Sequence, residues 1–451
     1  MKSAFRFSVI AAAMSCTIAT PVLAQDATTP TAEEQLAAMR AQLQALTNRI
    51  DQLETELEQT QAGNADRDAV IAANTEAVAQ PAPEAKPAAQ LEKSGWTFKP
   101  RGRLMYDAGF ISAPDSTGAD DGFGNEVRRA RLGASGDLPG GFGYKFELDF
   151  AGNEVSAADA ILTYDDGDLG IAVGHQNNFQ SLEELTSSLH TSFIERAAFT
   201  DAFGFERRIG LSASYDVGIV LAQAGVFTDS FEDTGSDNRS FDGRVVVMPK
   251  MGDTQLHFGG SLHYNELGEE DATVRYRQRP FVHFTSTRFV NTGNLGADSE
   301  FGAGLEAAAI AGRFHAAAEG FWQNVDMPLA STNPTFFGGY VEASYFLTAG
   351  DSRGYKGGKF DRVKPANPVG EGGMGSVQVN LRYDHLDLND AGIVGGVQNG
   401  YQASLIWKPT GNTLFSLNYG RMDYTDAALT RADGDTEYGV DAFGVRAQVD
   451  F

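Results

Sequence analysis

Arg101, Arg103, Arg129, Arg131, Lys145 and Arg208 are the side chains of this 451-residue sequence whose type and spacing point most directly to chemistry. Each lies on the opposite parity from apolar neighbours: Leu104 and Tyr106 beside Arg101 and Arg103, Ala130 and Leu132 beside Arg129 and Arg131, Phe146 beside Lys145, and Ile209 and Leu211 beside Arg208. In an extended strand that parity puts the cations together on one face. A row of fixed cations along a wet passage replaces part of the hydration that a permeating anion loses. The same row has a plainer reading, in which Glu147 and Asp149 pair with the cations and leave the lining electrically neutral.

Catalytic and metal chemistry find no comparable pattern. No H-E-x-x-H or G-x-S-x-G occurs, so neither a zinc protease helix nor a nucleophile elbow is expected. Gly370, Gly372 and Gly375 match G-x-G-x-x-G, but an alternating segment from Val377 follows them where a dinucleotide site needs a helix. The seven histidines are scattered, and His257 and His263 share a strand face without a third ligand. The acidic stretches 115–121 and 229–237 lack the spacing of a calcium loop. The expectation is a protein with no catalysis, no cofactor and no metal.

The elements that position the cations are strands. Phe142, Tyr144, Phe146, Leu148 and Phe150 alternate with Gly143, Lys145, Glu147 and Asp149, a period of two with an aromatic face and a charged one. Phe443 to Phe451 alternate in the same way up to the last residue. Further alternation runs through 104–106, 160–164, 209–215, 341–346, 377–383, 401–407 and 414–419, separated by turn-forming clusters such as Asp165-Asp166-Gly167-Asp168. From Trp96 onward, at roughly 22 residues per strand and connection, the chain supplies about 16 strands. Closure removes the exposed edges that so many strands would create, and a barrel of that size encloses an aqueous channel.

Composition agrees with this class. Sixty acidic side chains against 35 basic ones, a formal charge of −25, exclude a nucleic-acid binder, which needs a basic footprint. Thirty phenylalanines exclude a disordered acidic tail. Beyond the first 25 residues no run of roughly 18 apolar residues occurs, so a bundle of membrane helices is excluded as well. What is left is a soluble all-β protein or a membrane β-barrel, and the terminal strand ending on phenylalanine favours the barrel.

The N-terminal region reads as three pieces. Lys2 and Arg6, the apolar stretch from Phe7 to Ile18, and Val22-Leu23-Ala24 before Gln25 predict a signal peptide over 1–24. Cys16, the single cysteine, falls inside it, so a mature chain has no disulfide or thiol chemistry. Leu36, Met39, Leu43, Leu46, Ile50, Leu53 and Leu57 form a heptad seam within a periplasmic coiled coil predicted over 25–80; an amphipathic helix docked on its own domain is the alternative. Pro81, Pro83 and Pro87 mark an extended linker over 81–95, and the barrel domain follows over 96–451.

Between Gln176 and Arg207 the alternation lapses. Ser181 to Glu184 and Ser192 to Glu195 both fit the S-x-x-E capping box, which predicts two short helical turns. The expectation is a loop that folds into the lumen and narrows it. A cover over the outer mouth, or over a neighbouring subunit, is the alternative.

Several segments resemble the phosphate-selective porin O and P family: Arg128-Arg129-Ala130-Arg131-Leu132-Gly133, the stretch Leu138 to Glu147, Ser181 to Ser188, Glu195-Arg196, Arg207-Arg208-Ile209-Gly210, Tyr340 to Thr348, Phe360 to Pro368 and Leu386 to Asp390. The resemblance implies a 16-stranded outer-membrane barrel, usually trimeric, that passes small anions passively through a basic constriction. It implies an anion-lining role for Arg129, Arg131 and Lys145. Phosphate-selective members carry lysines at the constriction; the loop here carries Glu183 and Glu184, with His190 and Arg196 as its possible cations. The implied location is the outer membrane of a Gram-negative bacterium. Outer-membrane lipid, small inorganic anions and two further copies of the chain are the implied partners, with peptidoglycan a candidate for the coiled coil. Three rivals stand beside this reading: a general porin of mixed charge, a barrel lipid hydrolase lacking any evident Ser/His pair, and a structural or adhesive barrel.

Overall fold

The computed structural model describes residues 95–152, 155–231, 237–268 and 272–451. The expected signal peptide, heptad segment and linker lie outside the described residues except for Gly95. The alternating segments resolve into strands β1 (Lys99–Ser112), β2 (Gly122–Asp137), β3 (Phe142–Asp149), β4 (Ser156–Asp166), β5 (Leu169–Asn177), β6 (Arg207–Val217), β7 (Val220–Phe227) and β8 (Arg239–Val247). The second half adds β9 (Thr254–Glu266), β10 (Ser299–Ala311), β11 (Phe314–Asp326), β12 (Thr335–Phe346), β13 (Ser376–Asp390), β14 (Ile393–Thr410), β15 (Thr413–Thr425) and β16 (Tyr438–Asp450). Every strand pairs antiparallel with its chain neighbour, and β16 returns to pair with β1, so the sheet closes as a sixteen-stranded barrel. The two-residue piece Lys250–Met251 pairs with the start of β9 ahead of the tight turn at Gly252.

The outward parity is apolar along the wall. Leu104, Tyr106 and Phe110 of β1, and Phe415, Leu417 and Tyr419 of β15, are exposed on it. Aromatic rings collect near the two rims, with Trp407 stacked on Phe415 at 5.5 Å at the end of the short turns. Tyr383 meets Tyr401 at 5.5 Å, and Trp322 meets Phe337 at 5.1 Å, toward the end of the long loops. Two aromatic girdles flanking an aliphatic band are what a lipid bilayer selects on a barrel exterior.

The inward parity departs from the expected polar lining. At the long-loop end Phe321, Val325, Phe336, Tyr340, Leu386 and Leu388 point inward and are buried. They pack with Leu182, Phe193, Ile194, Phe199, Phe281 and Phe289 from the connections 178–206 and 267–298, so the hydrophobic core of this barrel lies inside it. Two inward glycines admit these rings. A Cβ on Gly338 would lie 2.4 Å from Cβ of Phe199, and one on Gly420 would lie 2.6 Å from the ring of Phe281. A third connection, 347–375, enters from the short-turn end. Its hairpin, Gly354–Lys356 paired with Lys359–Asp361, is held to the wall where Arg244 donates to the Gly358 carbonyl at 2.8 Å.

The closing seam carries its own ion pair. Asp107 of β1 stands directly opposite Arg446 of β16, and the guanidinium donates to both carboxylate oxygens at 2.7 Å with both side chains almost wholly buried. Removing one partner leaves a buried charge uncompensated, at a cost of about 3–5 kcal/mol, whereas replacing both by apolar side chains is close to neutral. Arg446→Met should therefore lower the urea midpoint of the barrel sharply, and the double variant Asp107→Leu/Arg446→Met should recover most of the loss. Equal losses in the single and double variants would show that the pair does not hold the seam.

Candidate functional site

The connection 178–206 crosses the lumen because its apolar side chains have inward wall residues to cover. The first capping box forms as the sequence predicts: Ser181 Oγ accepts from the Glu184 N–H at 3.2 Å, and α1 (Leu182–Leu185) follows. The second expected turn does not form. The Ser192 hydroxyl donates to Glu342 of β12 at 2.8 Å, so it joins the loop to the wall, and α2 (Ala198–Ala202) begins later without a side-chain cap. Asp384 of β13 accepts from the Ala198 N–H at 2.9 Å, and Asn418 of β15 accepts from the Ile194 N–H at 3.0 Å. The loop therefore lies within the lumen, as expected, and does not cap the mouth.

Between this loop, β2, the start of β6 and the 278–283 segment is a cavity of about 310 Å³ lined by Arg128, Arg129, Arg196, Arg207 and Arg279 together with Glu184, Glu195, Asp201 and Glu206. Arg128 arrives there through a β-bulge. The β1–β2 register slips between Met105 and Tyr106, which face Arg129 and Val127, and Arg128 is the extra residue. Its inward direction therefore breaks the simple alternation. Arg128 grips Glu195 in a bidentate pair at 2.7 and 3.0 Å. Arg207 pairs with Asp159 at 2.9 Å and Arg279 with Asp201 at 3.4 Å. Arg129 has no ion pair among the described residues; its Nη1 lies 4.0 Å from Met105 Sδ.

The predicted lining residues divide into two groups. Arg103 meets Glu147 at 3.1 Å, Arg131 meets Asp149 at 2.6 Å and Glu147 at 3.2 Å, and Lys145 meets Asp159 at 2.6 Å. For those three the neutral reading of the row holds. Arg101 is exposed near the short-turn end, Arg208 donates to Asn265 at 3.2 Å, and neither of them has a carboxylate partner among the described residues.

The loop residues mostly hold the loop together. Arg196 donates to the carbonyls of Glu183, Glu184 and Thr186 and lies 3.4 Å from the Glu184 carboxylate. Glu183 accepts from Arg382 of β13 at 3.2 Å. His190 supplies no cation, contrary to expectation. Burial, with Lys408 and Arg353 adding to it, pushes its pKa down to about 3, and Arg353 donates to its carbonyl. His257 and His263 face Glu306 and Asp242 separately, and the described residues contain no metal-type cluster.

Sequence reasoning missed Arg128, Arg207 and Arg279 as lining residues, and it missed Lys359. That lysine sits exposed on the in-folded hairpin, where Lys145, Arg244, Asp361 and Asp159 are electrostatic neighbours, and it has no ion pair among the described residues. Parity hid Arg128 behind a bulge. Arg279 and Lys359 lie in connections whose inward folding no local periodicity announces.

A sequence profile described as phosphate-selective porin O and P matches residues 98–451. The chain belongs to that family. The porin is 44% identical over 473 residues to an uncharacterized protein of Caulobacter vibrioides, across 98% of this chain and 94% of that protein. Its barrel resembles outer-membrane expressed OmpT of Vibrio cholerae, with a TM-score of 0.52 and 12% identity over 79% of this chain and 98% of that one. It resembles an anion-selective porin from Comamonas acidovorans to the same degree, with a TM-score of 0.52 and 12% identity over 79% of this chain and 100% of that one. At such identity the likeness establishes the fold. Family and fold together assign this porin to the outer membrane.

Two carboxylates of the chamber titrate differently. Burial pushes the Glu184 carboxyl up, with Arg196, Arg207 and Arg129 opposing it. Burial also works against ionisation of Glu195, but Arg128, Arg446 and Arg129 outweigh it and hold that carboxyl well below the usual range. As pH falls, Glu184 takes up its proton earlier than an ordinary carboxylate would, while Glu195 stays charged. The chamber becomes more positive, and permeability to chloride relative to potassium should rise. Glu184→Gln should show the raised preference already at neutral pH, with a flat pH profile in reversal-potential measurements. A variant that keeps the wild-type pH dependence would rule Glu184 out as its source.

Proposed function

We propose that this porin lets small anions, inorganic phosphate among them, diffuse passively across the outer membrane, with Arg129 as the main source of the bias. The observation that carries the reading is that Arg129 lines the 310 Å³ chamber, among four further guanidinium groups, with no carboxylate partner among the described residues. An unpaired charge about 7 Å from a permeating ion contributes roughly 0.6–2.4 kcal/mol for effective dielectric constants of about 80 to 20. That is a several-fold to tens-fold bias, enough for preference and too little for tight capture. The three paired cations of the row and the four carboxylates of the chamber support the milder, general-porin end of this range.

The same reading includes a homotrimer, the form in which one solved OmpT of Vibrio cholerae is described. It also includes a periplasmic coiled coil over 25–80, reaching toward peptidoglycan or joining the protomers.

In planar bilayers under a potassium chloride gradient, Arg129→Ala should move the reversal potential toward that of a non-selective pore, and Lys359→Ala should add to the shift. Arg131→Ala behaves differently, because it leaves Asp149 unpaired and adds net negative charge; it should push the pore toward cations. An unchanged reversal potential in Arg129→Ala would remove that residue from the mechanism and leave the mixed-charge porin.

A further inference from the structure

Glu319 of β11 is buried on the lumen wall and has no basic partner within ion-pair distance among the described residues. Its carboxylate is surrounded by donors. Oε2 accepts from the Leu182 N–H at 2.8 Å, and Oε1 accepts from the Glu183 N–H at 2.7 Å and from the Tyr340 hydroxyl at 2.9 Å. The Ser181 hydroxyl is a further partner. Leu182 and Glu183 open α1, so the carboxylate takes two N–H groups that have no partner inside the helix. The backbone is strained at the same point. Ser181 has φ 65° and ψ 134°, a region that residues with a Cβ avoid, and it stays there because its neighbours on both sides are held.

The other end of the crossing is fixed on the far wall, where Glu195 meets Arg128 at 2.7 Å and Arg446 at 3.5 Å. Glu184 follows the first fixing and Arg196 the second, and these two chamber residues pair with each other. We propose that Glu319 is the positioning residue of the pore: its carboxylate holds α1 against β11, thereby sets Glu184 and Arg196 in the chamber, and releases that hold when protonated. The proposal rests on the porin reading, though not on which ion passes. The charged and titratable groups facing Glu319 are Glu183 from the loop, Glu306 from β10 and Tyr340 from β12, with Arg382 of β13 reaching Glu183. Every donor described above points at the carboxylate. A protonated oxygen would turn its own O–H toward an N–H or a hydroxyl, and at least one bond would be lost.

Single-channel recording on the full-length protein, at about pH 9.5 and about pH 6, tests this. In the wild type, acidification should raise the time spent outside the main open level about tenfold, the population effect of losing one or two bonds to a charged acceptor. Glu319→Gln should show that behaviour at both pH values, and Tyr340→Phe should show an intermediate rise of about threefold. A Glu319→Gln channel as quiet as the wild type at both pH values overturns the proposal, as does one with an undiminished acid response. If Glu319→Gln fails to insert, Tyr340→Phe decides, and wild-type noise with a wild-type pH profile in that variant overturns it. Reversal potentials from the same records test the anion reading separately. Flicker in Glu319→Gln together with no anion preference in the wild type would sink the proposed selectivity and leave the positioning role standing.

Discussion

A closed sheet of sixteen strands is wider inside than its own inward side chains can fill, and the contact between that inner wall and the connections folded against it is what the rest of this structure depends on. Phe199 over Gly338 and Phe281 over Gly420 show the fit directly. Burial of these rings drives the loops inward, as it drives packing in any core. The polar backbone they bring along then needs partners, which the wall supplies through Asp384, Asn418 and Glu319. Fixing the loops in this way creates a chamber of defined shape between them and β2.

Charge in that chamber is local. The chain as a whole carries −25, yet the field along a narrow path depends on the few groups beside it. Pairing decides which of those groups count. Arg103, Arg131 and Lys145 stand within about 3 Å of carboxylates, so their fields largely cancel beyond a few ångströms. Arg129 forms no ion pair among the described residues: across the ladder stands Met105, and Glu184 and Glu195 act on it only from a distance. The acid surplus of the sequence belongs mainly to loops and turns, where water screens it within a Debye length.

Much of the scaffold was legible from period alone. The strand segments read from alternation at 142–150, 209–215 and 443–451 fall within or run one residue past β3, β6 and β16, because a lipid-facing wall enforces a strict two-residue repeat. The capping box at Ser181 was legible for a local reason too, since its hydroxyl acts within one turn of helix. The identical motif at Ser192 misled, because Glu342, remote in sequence, took the hydroxyl instead. His190 misled similarly: histidine reads as a candidate cation until its burial is known.

The sequence by itself determined the barrel, its approximate strand number, the lipid-facing side of each strand and those inward cations that follow the strand parity. Those properties are periodic or compositional, and each is written within a few consecutive residues. Only the tertiary structure decided which cations are neutralised, that a bulge turns Arg128 inward beside Arg129, and that connections from both ends of the barrel meet inside it, where Arg353 and Asp361 reach His190. Those outcomes join residues far apart in the chain, and the closure of the barrel sets their distances.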